Sequence, residues 1–328
     1  MDPIKLYVMA LPVFLGAIVL EALYYRFAFR QPYGWAATAS NLVVAIGRLA
    51  SEAITKGLVV AVYVAAWQLR PFDIPMDRWE SWVALFLLVD FAYYWLHRYS
   101  HEIRWMWALH SVHHSAQQVT FSVAYRLGWT NIVSGPWLFL IPVCWLGFDP
   151  RAVGFMYAAN LLYQFWLHTE TVPKLGFVEC FLNTPSNHRV HHAVNPEYLD
   201  RNYGGVLIIW DRLFGTYCAE KDGVPRTYGL VRQIDTLNPV KIAFAEWVAM
   251  IRDVRKARSL RAAAGYLFGP PGWRPDGNGM TTAAIRKAAG VESDSRRNDF
   301  ALLLGRTSLF RGHARRDNDA IPSRHVRI

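Results

Sequence analysis

Three tight histidine clusters constrain this chain more than any other feature: His97 and His101, then His110, His113 and His114, then His188, His191 and His192. With 11 histidines in 328 residues, an HxxxH run and two HxxHH runs are not a chance distribution. On a helix, residues three and four apart share a face, with Cβ atoms about 5–6 Å apart. Each cluster is therefore expected to aim its imidazoles at one point. Neutral imidazole serves iron, zinc, copper and nickel alike. Eight nitrogen donors exceed what one ion takes, since zinc is satisfied by about four protein ligands in a structural site and three in a catalytic one. The inventory fits two metals with open positions, and the fold must bring three distant segments together.

Hydrophobic residues make up 53% of the chain and charged residues 18%, a balance that points to a membrane protein. A spanning helix needs about 20 mainly apolar residues. Leu6 to Tyr25 provides one, with Glu21 as its only charge. Arg26 follows Leu23-Tyr24-Tyr25 with no small-residue cleavage site, so this segment is expected to be retained as a span. Gly57 to Leu69 extends an amphipathic helix beginning near Asn41, and Trp82 to Leu96 forms a third segment. Ile132 to Phe148 and Val153 to Leu167 make a short pair, read as a hairpin. Arg48, Glu52 and Lys56 recur every four residues, which places that half of its helix at the aqueous boundary. The expected fold is an all-α integral membrane bundle of about four to five segments.

Arg26 and Arg30 follow the first span, and Arg98 and Arg104 the third. The positive-inside rule then makes both loops cytoplasmic and brings all three histidine clusters to that side. His168, at the end of the fifth segment, arrives there too and is a ninth candidate ligand. The expected fold is thus capped by a cytoplasmic, histidine-rich two-metal site. Three parts are expected: N-terminal membrane helices at 1–78, the metal-binding domain at 79–251, and a basic, largely disordered tail at 252–328. From Arg252 onward stand 16 basic and 7 acidic residues, which carry most of the net charge of +10. Such a tail beside a membrane meets anionic lipid head groups. It has no nucleic-acid reading module, so no nucleic-acid partner is expected.

Among carboxylates, Asp90 lies two helical turns before His97 and is expected to take a ligand ring N–H, as second partners of metal-bound histidines do. Glu102 follows His101 directly and Glu170 follows His168 by two, which makes Glu102 the stronger candidate of the pair. His101-Glu102 opens an HExxH, but Trp105 stands where the second histidine is needed, so the peptidase motif fails. No G-x-S-x-G, P-loop or G-x-G-x-x-G accompanies the histidines. Cys144, Cys180 and Cys218 form no CxxC pair and imply neither a disulfide framework nor a zinc ribbon.

The three runs, His97-Arg-Tyr-Ser-His101, His110-Ser-Val-His113-His114 and His188-Arg-Val-His191-His192, resemble the signature of the fatty acid hydroxylase and sterol desaturase superfamily of membrane di-iron enzymes. The flanking Asp90-Phe-Ala-Tyr-Tyr-Trp-Leu, Leu162-Tyr-Gln-Phe-Trp-Leu-His168-Thr-Glu170 and Asn202-Tyr-Gly-Gly-Val-Leu-Ile-Ile-Trp-Asp211 are most similar to its alkylglycerol monooxygenase-like members. The resemblance covers roughly residues 80 to 245. It implies that the nine histidines hold two irons and that Glu102 matches a glutamate near the centre. It further implies an O2-dependent hydroxylation of a lipid C–H bond, in an alkylglycerol ether lipid, a fatty acyl chain or a sterol-like substrate. Past residue 250 an Arg-rich tail stands in place of those members' further membrane segments, a departure that leaves both their substrate and their pterin reductant open for this chain. The electron donor is external, either a tetrahydropterin or a reductase chain. A desaturase with the same centre is the alternative within the enzymes, and a zinc-binding or metal-handling membrane protein the alternative outside them. The home is the inner membrane of a bacterium, toward which frequent Ala and Arg point, or the endoplasmic reticulum of a eukaryote.

Overall fold

The computed structural model describes residues 3–291, and among these every regular element is helical. Helix α1 covers Pro3–Tyr24 and winds down through a π-helical turn at Tyr25–Phe29. Helix α2 covers Trp35–Gln68, and α3 covers Trp79–Glu102. The single extended residue Ile103 breaks the chain before α4, Arg104–His114. The short α5 (Asn131–Ser134) and α6 (Ile141–Leu146) lead to α7, Pro150–Phe165. Then come α8 (Pro185–His192), α9 (Ile209–Leu213), α10 (Pro239–Arg255), α11 (Leu260–Phe268) and α12 (Thr282–Ala288). Several of these starts are written locally. At Asp149-Pro150, Thr184-Pro185 and Asn238-Pro239 a capping side chain accepts a first-turn amide and proline occupies the first helical position.

Two helical stretches, Val8–Phe29 and Trp35–Gln68, are long and apolar enough to cross a bilayer. Their outward faces expose Val8, Met9, Val13, Leu20, Ile46, Ile54 and Leu58. The expected count of four to five segments is not reproduced at this level. The stretch from Ile132 to Phe148 breaks at Gly135, whose φ of 82° ends α5, and again at Gly147. α7 has 16 residues, about 24 Å of rise against a hydrocarbon core of about 30 Å.

The main apolar core joins α2, α3, α6 and α7 through Tyr63, Leu85, Val89, Val143, Cys144, Phe148 and Val153. A second cluster fastens α1, with Ile18, Ala22 and Tyr25 packed on Phe165. Glu21, the one charge of the first apolar run, points inward. Its carboxylate accepts from Tyr33 Oη at 2.9 Å, Phe121 N at 2.9 Å and Thr169 Oγ1 at 2.5 Å, so it pins α1 to the residue after His168. Arg48 pairs with Glu52 as its spacing predicts, and it also donates to the Gly128 carbonyl at 3.0 Å, which ties α2 to the loop after the 3-10 turn at Phe121–Tyr125.

Residues 252–291 depart from the expected disordered tail, and the boundary at 251/252 falls inside α10. α10 and α11 pack on α4, where buried Arg104 binds Glu246 at 2.7 Å and Asp253 at 2.8 Å and its amide donates to the Gly269 carbonyl at 3.0 Å. Burying an arginine this far requires paired carboxylates, and these come from α10 because the nearby Glu102 is taken by Arg98. Residues 292–328 of the expected tail lie outside the described residues.

Candidate metal centre

The HxxxH run ends α3, the first HxxHH ends α4, and the second HxxHH fills the last five positions of α8. α4 starts directly after α3, so the first two runs face each other across the break at Ile103. Buried Arg126 then holds the end of α4, donating to the Val112 carbonyl at 3.0 Å and to Ser115 Oγ at 2.8 Å. α8 is anchored by Arg189, between two of its histidines, which forms a fully buried pair with Glu220 at 2.8 Å. Its guanidinium also donates to the carbonyls of Thr169 and Val172.

All nine histidines named from sequence meet, in two groups. One contains His97, His101, His110, His114 and His191; the other contains His113, His168, His188 and His192. Within each group the candidate ligand atoms lie within 4.8 Å of one another. The groups abut, with the rings of His114 and His192 stacked at 4.5 Å. The two HxxHH runs do not each aim at one point. In the first, His110 and His114 enter the five-histidine group while His113 enters the other. In the second, His188 and His192 enter the four-histidine group while His191 crosses to the first. Positions i and i+4 differ by about 40° around a helix, whereas i+3 and i+4 differ by about 100°, so the split follows from helical geometry once two targets lie side by side.

Ring nitrogens carry the test of whether this arrangement fits metal. His97 Nδ1 donates to the Tyr203 carbonyl at 2.8 Å, His191 Nδ1 to that of Arg201 at 3.0 Å, and His168 Nδ1 to that of Gln164 at 2.9 Å. A carbonyl only accepts, so each of these rings carries its proton on Nδ1 and turns a bare Nε2 inward. The inward atoms crowd: His97 Nε2 lies 3.0 Å from His110 Nε2, and His168 Nε2 lies 2.9 Å from His188 Nε2 and 3.1 Å from His113 Nε2. Buried His101 Nε2 and His191 Nε2 have no hydrogen-bond partner. Lone pairs this close repel unless a proton or a cation lies between them, and the donor set is wholly imidazole, so the residues fit two metal ions. Burial, reinforced by neighbouring imidazoles, holds His110, His114, His191 and His192 well below the ordinary histidine range. It brings His168 down to about 4, against the pull of the Gln164 and Phe165 carbonyls. These five rings are held in the neutral form, the one that ligates.

The two expected carboxylates sit elsewhere. Asp90 touches no histidine. Its oxygens accept from Asn160 Nδ2 (2.7 Å), Val206 N (2.9 Å), Leu207 N (3.1 Å) and Trp210 Nε1 (2.9 Å). It clamps the segment after Tyr203 onto α3 and α7, because that segment's free amides need a buried acceptor. Glu102 takes Arg98 Nε at 2.8 Å, is 40% exposed, and belongs to neither histidine group. Glu102→Ala is accordingly expected to keep both metals, cost no more than about 1 kcal/mol, and leave turnover within a few-fold of the parent; metal analysis and activity of the purified variant check this. Glu170 accepts from Tyr25 Oη at 3.4 Å, away from both groups.

Sequence reading missed Asp200, whose Oδ1 takes His101 Nδ1 at 3.1 Å. It lies eight residues past the last histidine, with no helical register to connect it to His101. It also missed Asp211, which receives the amides of Tyr203 and Gly204, both at 2.7 Å, and Thr216 Oγ1. Burial pushes the Asp211 carboxyl up to about 6 in spite of these donors.

The fatty acid hydroxylase family model matches residues 82–216, the stretch that contains all nine histidines. Human alkylglycerol monooxygenase is 37% identical over 269 residues, covering 81% of this chain and 59% of its own length. The Danio rerio alkylglycerol monooxygenase is 35% identical over 277 residues, with the same coverage of each. Ornithine lipid hydroxylase OlsE of Rhizobium tropici is 27% identical over 144 residues, 43% of this chain and 44% of its own. The chain thus spans less than two thirds of these curated relatives, and no solved structure matches it. Family match, relatives and histidine runs agree: the chain belongs to the fatty acid hydroxylase superfamily.

Proposed function

We propose that this protein is a membrane-embedded, O2-dependent di-iron oxygenase that hydroxylates a C–H bond of a lipid. The observation that carries the reading is the pair of abutting, all-imidazole groups of five and four histidines, built on the segment that matches the family. The names of the relatives, alkylglycerol monooxygenase and ornithine lipid hydroxylase, support a lipid substrate. Two irons bound there would supply the redox chemistry that places one atom of O2 in a C–H bond and releases the other as water, with two electrons from an external donor and two protons from solvent.

This chain's own residues hold and aim that chemistry. The nine imidazoles provide the ligating nitrogens, and Nδ1 bonds fix the direction of His97, His101, His168 and His191. Buried Tyr93 and Tyr203 pack beside His97, with buried Tyr94 against Tyr203, and together they would keep bulk water from the reacting carbon. α1, α2 and α3 would seat the body in the bilayer, and the basic residues that follow the first and third apolar segments, Arg26, Arg30 and Arg98, support a cytoplasmic location for the histidines. α10 exposes Val240, Phe244, Val248 and Ile251 along one stripe and continues into Arg252, Arg255 and Lys256. That pattern supports an interfacial helix on anionic head groups.

Protein purified from membranes is expected to contain two irons per chain. After reduction it should consume O2 and return a lipid product heavier by one oxygen, read by mass spectrometry. One zinc per chain with no O2 uptake would overturn the proposal, and a product lighter by two hydrogens would reassign it to desaturation.

A further inference from the structure

Three of the five histidines in the larger group receive their Nδ1 acceptors from one run of four residues. His101 points to the Asp200 carboxylate, His191 to the Arg201 carbonyl and His97 to the Tyr203 carbonyl. The smaller group takes nothing from this run; His168 is oriented from within its own turn by Gln164. The run is bent into an unusual shape, since Asp200 and Asn202 both adopt left-handed backbone, at φ 52° and 58°. Aspartate and asparagine tolerate this region better than most residues, yet it persists only where the surroundings hold it. Asn202 is held by its own side chain, which donates to the carbonyls of Asn187 (2.9 Å) and Cys218 (2.7 Å) and accepts from Cys218 N (2.8 Å).

Asp200 is held from the C-terminal segment. Thr282 Oγ1, at the start of α12, donates to Asp200 Oδ2 at 2.5 Å. Arg286, one turn on, donates to the Leu199 carbonyl and to that of Pro196 at 3.2 Å. Upstream in the same segment, the Gly269 carbonyl takes the first amide of α4, the helix that carries His110 and His114. Residues 269–286 therefore touch the metal-bearing region at two places: the Gly269 contact reaches α4, which carries His113 of the smaller group as well as His110 and His114, whereas the Thr282–Asp200 contact leads to His101 of the five-histidine group.

We propose that Asp200 is a positioning residue for the five-histidine metal, and that the C-terminal segment acts on this metal as a strap, with Thr282 holding Asp200 against His101. The Asp200 carboxylate orients His101 so that its Nε2 faces the metal, and Thr282 occupies the carboxylate's other oxygen so that it does not rotate away. Neither Asp200 nor Thr282 bonds to a histidine of the four-histidine group. The inference rests on the proposed two-metal centre, and the test separates the two.

The parent, Asp200→Ala, Asp200→Asn, Thr282→Val and Thr282→Ser proteins are loaded with iron, and metal per chain is followed during exposure to a chelator. Two irons in the parent establish the centre; none would overturn the two-metal reading itself. Given two, Asp200→Ala is expected to lose one iron about 10- to 100-fold faster than the parent while the second stays at the parental rate. Thr282→Val should show the same selective loss to a smaller degree, Thr282→Ser should restore parental retention, and Asp200→Asn, which keeps an acceptor for His101, should fall between Ala and the parent. A general loss of folding would release both irons together, and in that event Thr282→Val, at a partly exposed position, decides the matter. Parental retention of both irons in Asp200→Ala, or release of both in parallel in Thr282→Val, would overturn the strap.

Discussion

His168→Ala is expected to leave one metal per chain in place of two and to lower turnover by more than 100-fold. Among the described residues the four-histidine group contains no carboxylate and no fifth imidazole, so removing His168 leaves His113, His188 and His192. Loss of a partner that only orients a metal-bound histidine already costs 10- to 100-fold in affinity or activity. Deleting a ligand from a set of four exceeds that. The two groups respond unequally: His110→Ala leaves four nitrogens in the larger group, and its metal is expected to be the better retained of the two, although turnover falls there as well. Metal per chain by elemental analysis, set beside activity, tests both. Two metals in His168→Ala with parental turnover would remove His168 from the ligand set.

Asp90→Ala is expected to destabilise the protein by at least about 3 kcal/mol, with metal lost only as a consequence of unfolding. The carboxylate is fully buried and receives four donors. Each buried donor left unpaired costs about 1–3 kcal/mol, a large part of the 5–15 kcal/mol that typically separates folded from unfolded chains. The damage spreads because Asn160, one donor, accepts from Gln164 Nε2 at 2.7 Å, and Gln164 accepts from Tyr93 Oη at 2.7 Å. The backbone carbonyl of the same Gln164 orients His168. Close packing sharpens the demand: a Cβ on Gly205 would meet Asn160 Oδ1 at 2.7 Å and Tyr93 Cδ1 at 2.8 Å, so the loop has no room to find another partner. Thermal or denaturant unfolding of the detergent-solubilised variant measures the effect. A loss below 1 kcal/mol would show that water replaces the carboxylate.

Asp90 also shows where reading the chain alone falls short. Its distance from His97, two turns along one helix, is legible and places both on one face; the acceptor demand that captures it comes from Val206, Leu207 and Trp210, more than a hundred residues on. The buried Arg104 and Arg189 behave alike, each partnered by carboxylates from a distant element. The basic residues after Arg252 read as a solvated tail because composition weighs charge without regard to its neighbours. Helices α11 and α12 are short, and their order comes from packing on α4 and on residues 196–200.

What the sequence by itself determined is the chemistry of the centre: eight imidazoles at three- and four-residue spacings, whose helical register limits where each ring can point, with His168 as a ninth. Only the tertiary structure decided their division. Helical periodicity sets angles within one helix, but whether His113 joins its neighbour His114 or crosses to His188 depends on how α4, α8 and the end of α7 are placed against one another. The same holds for Asp200, Arg201 and Tyr203, whose carboxylate and carbonyls reach the rings because a left-handed bend, held from Asn187, Cys218 and Thr282, turns them inward. Those contacts span up to 106 residues of sequence, and no local pattern encodes a distance of that kind.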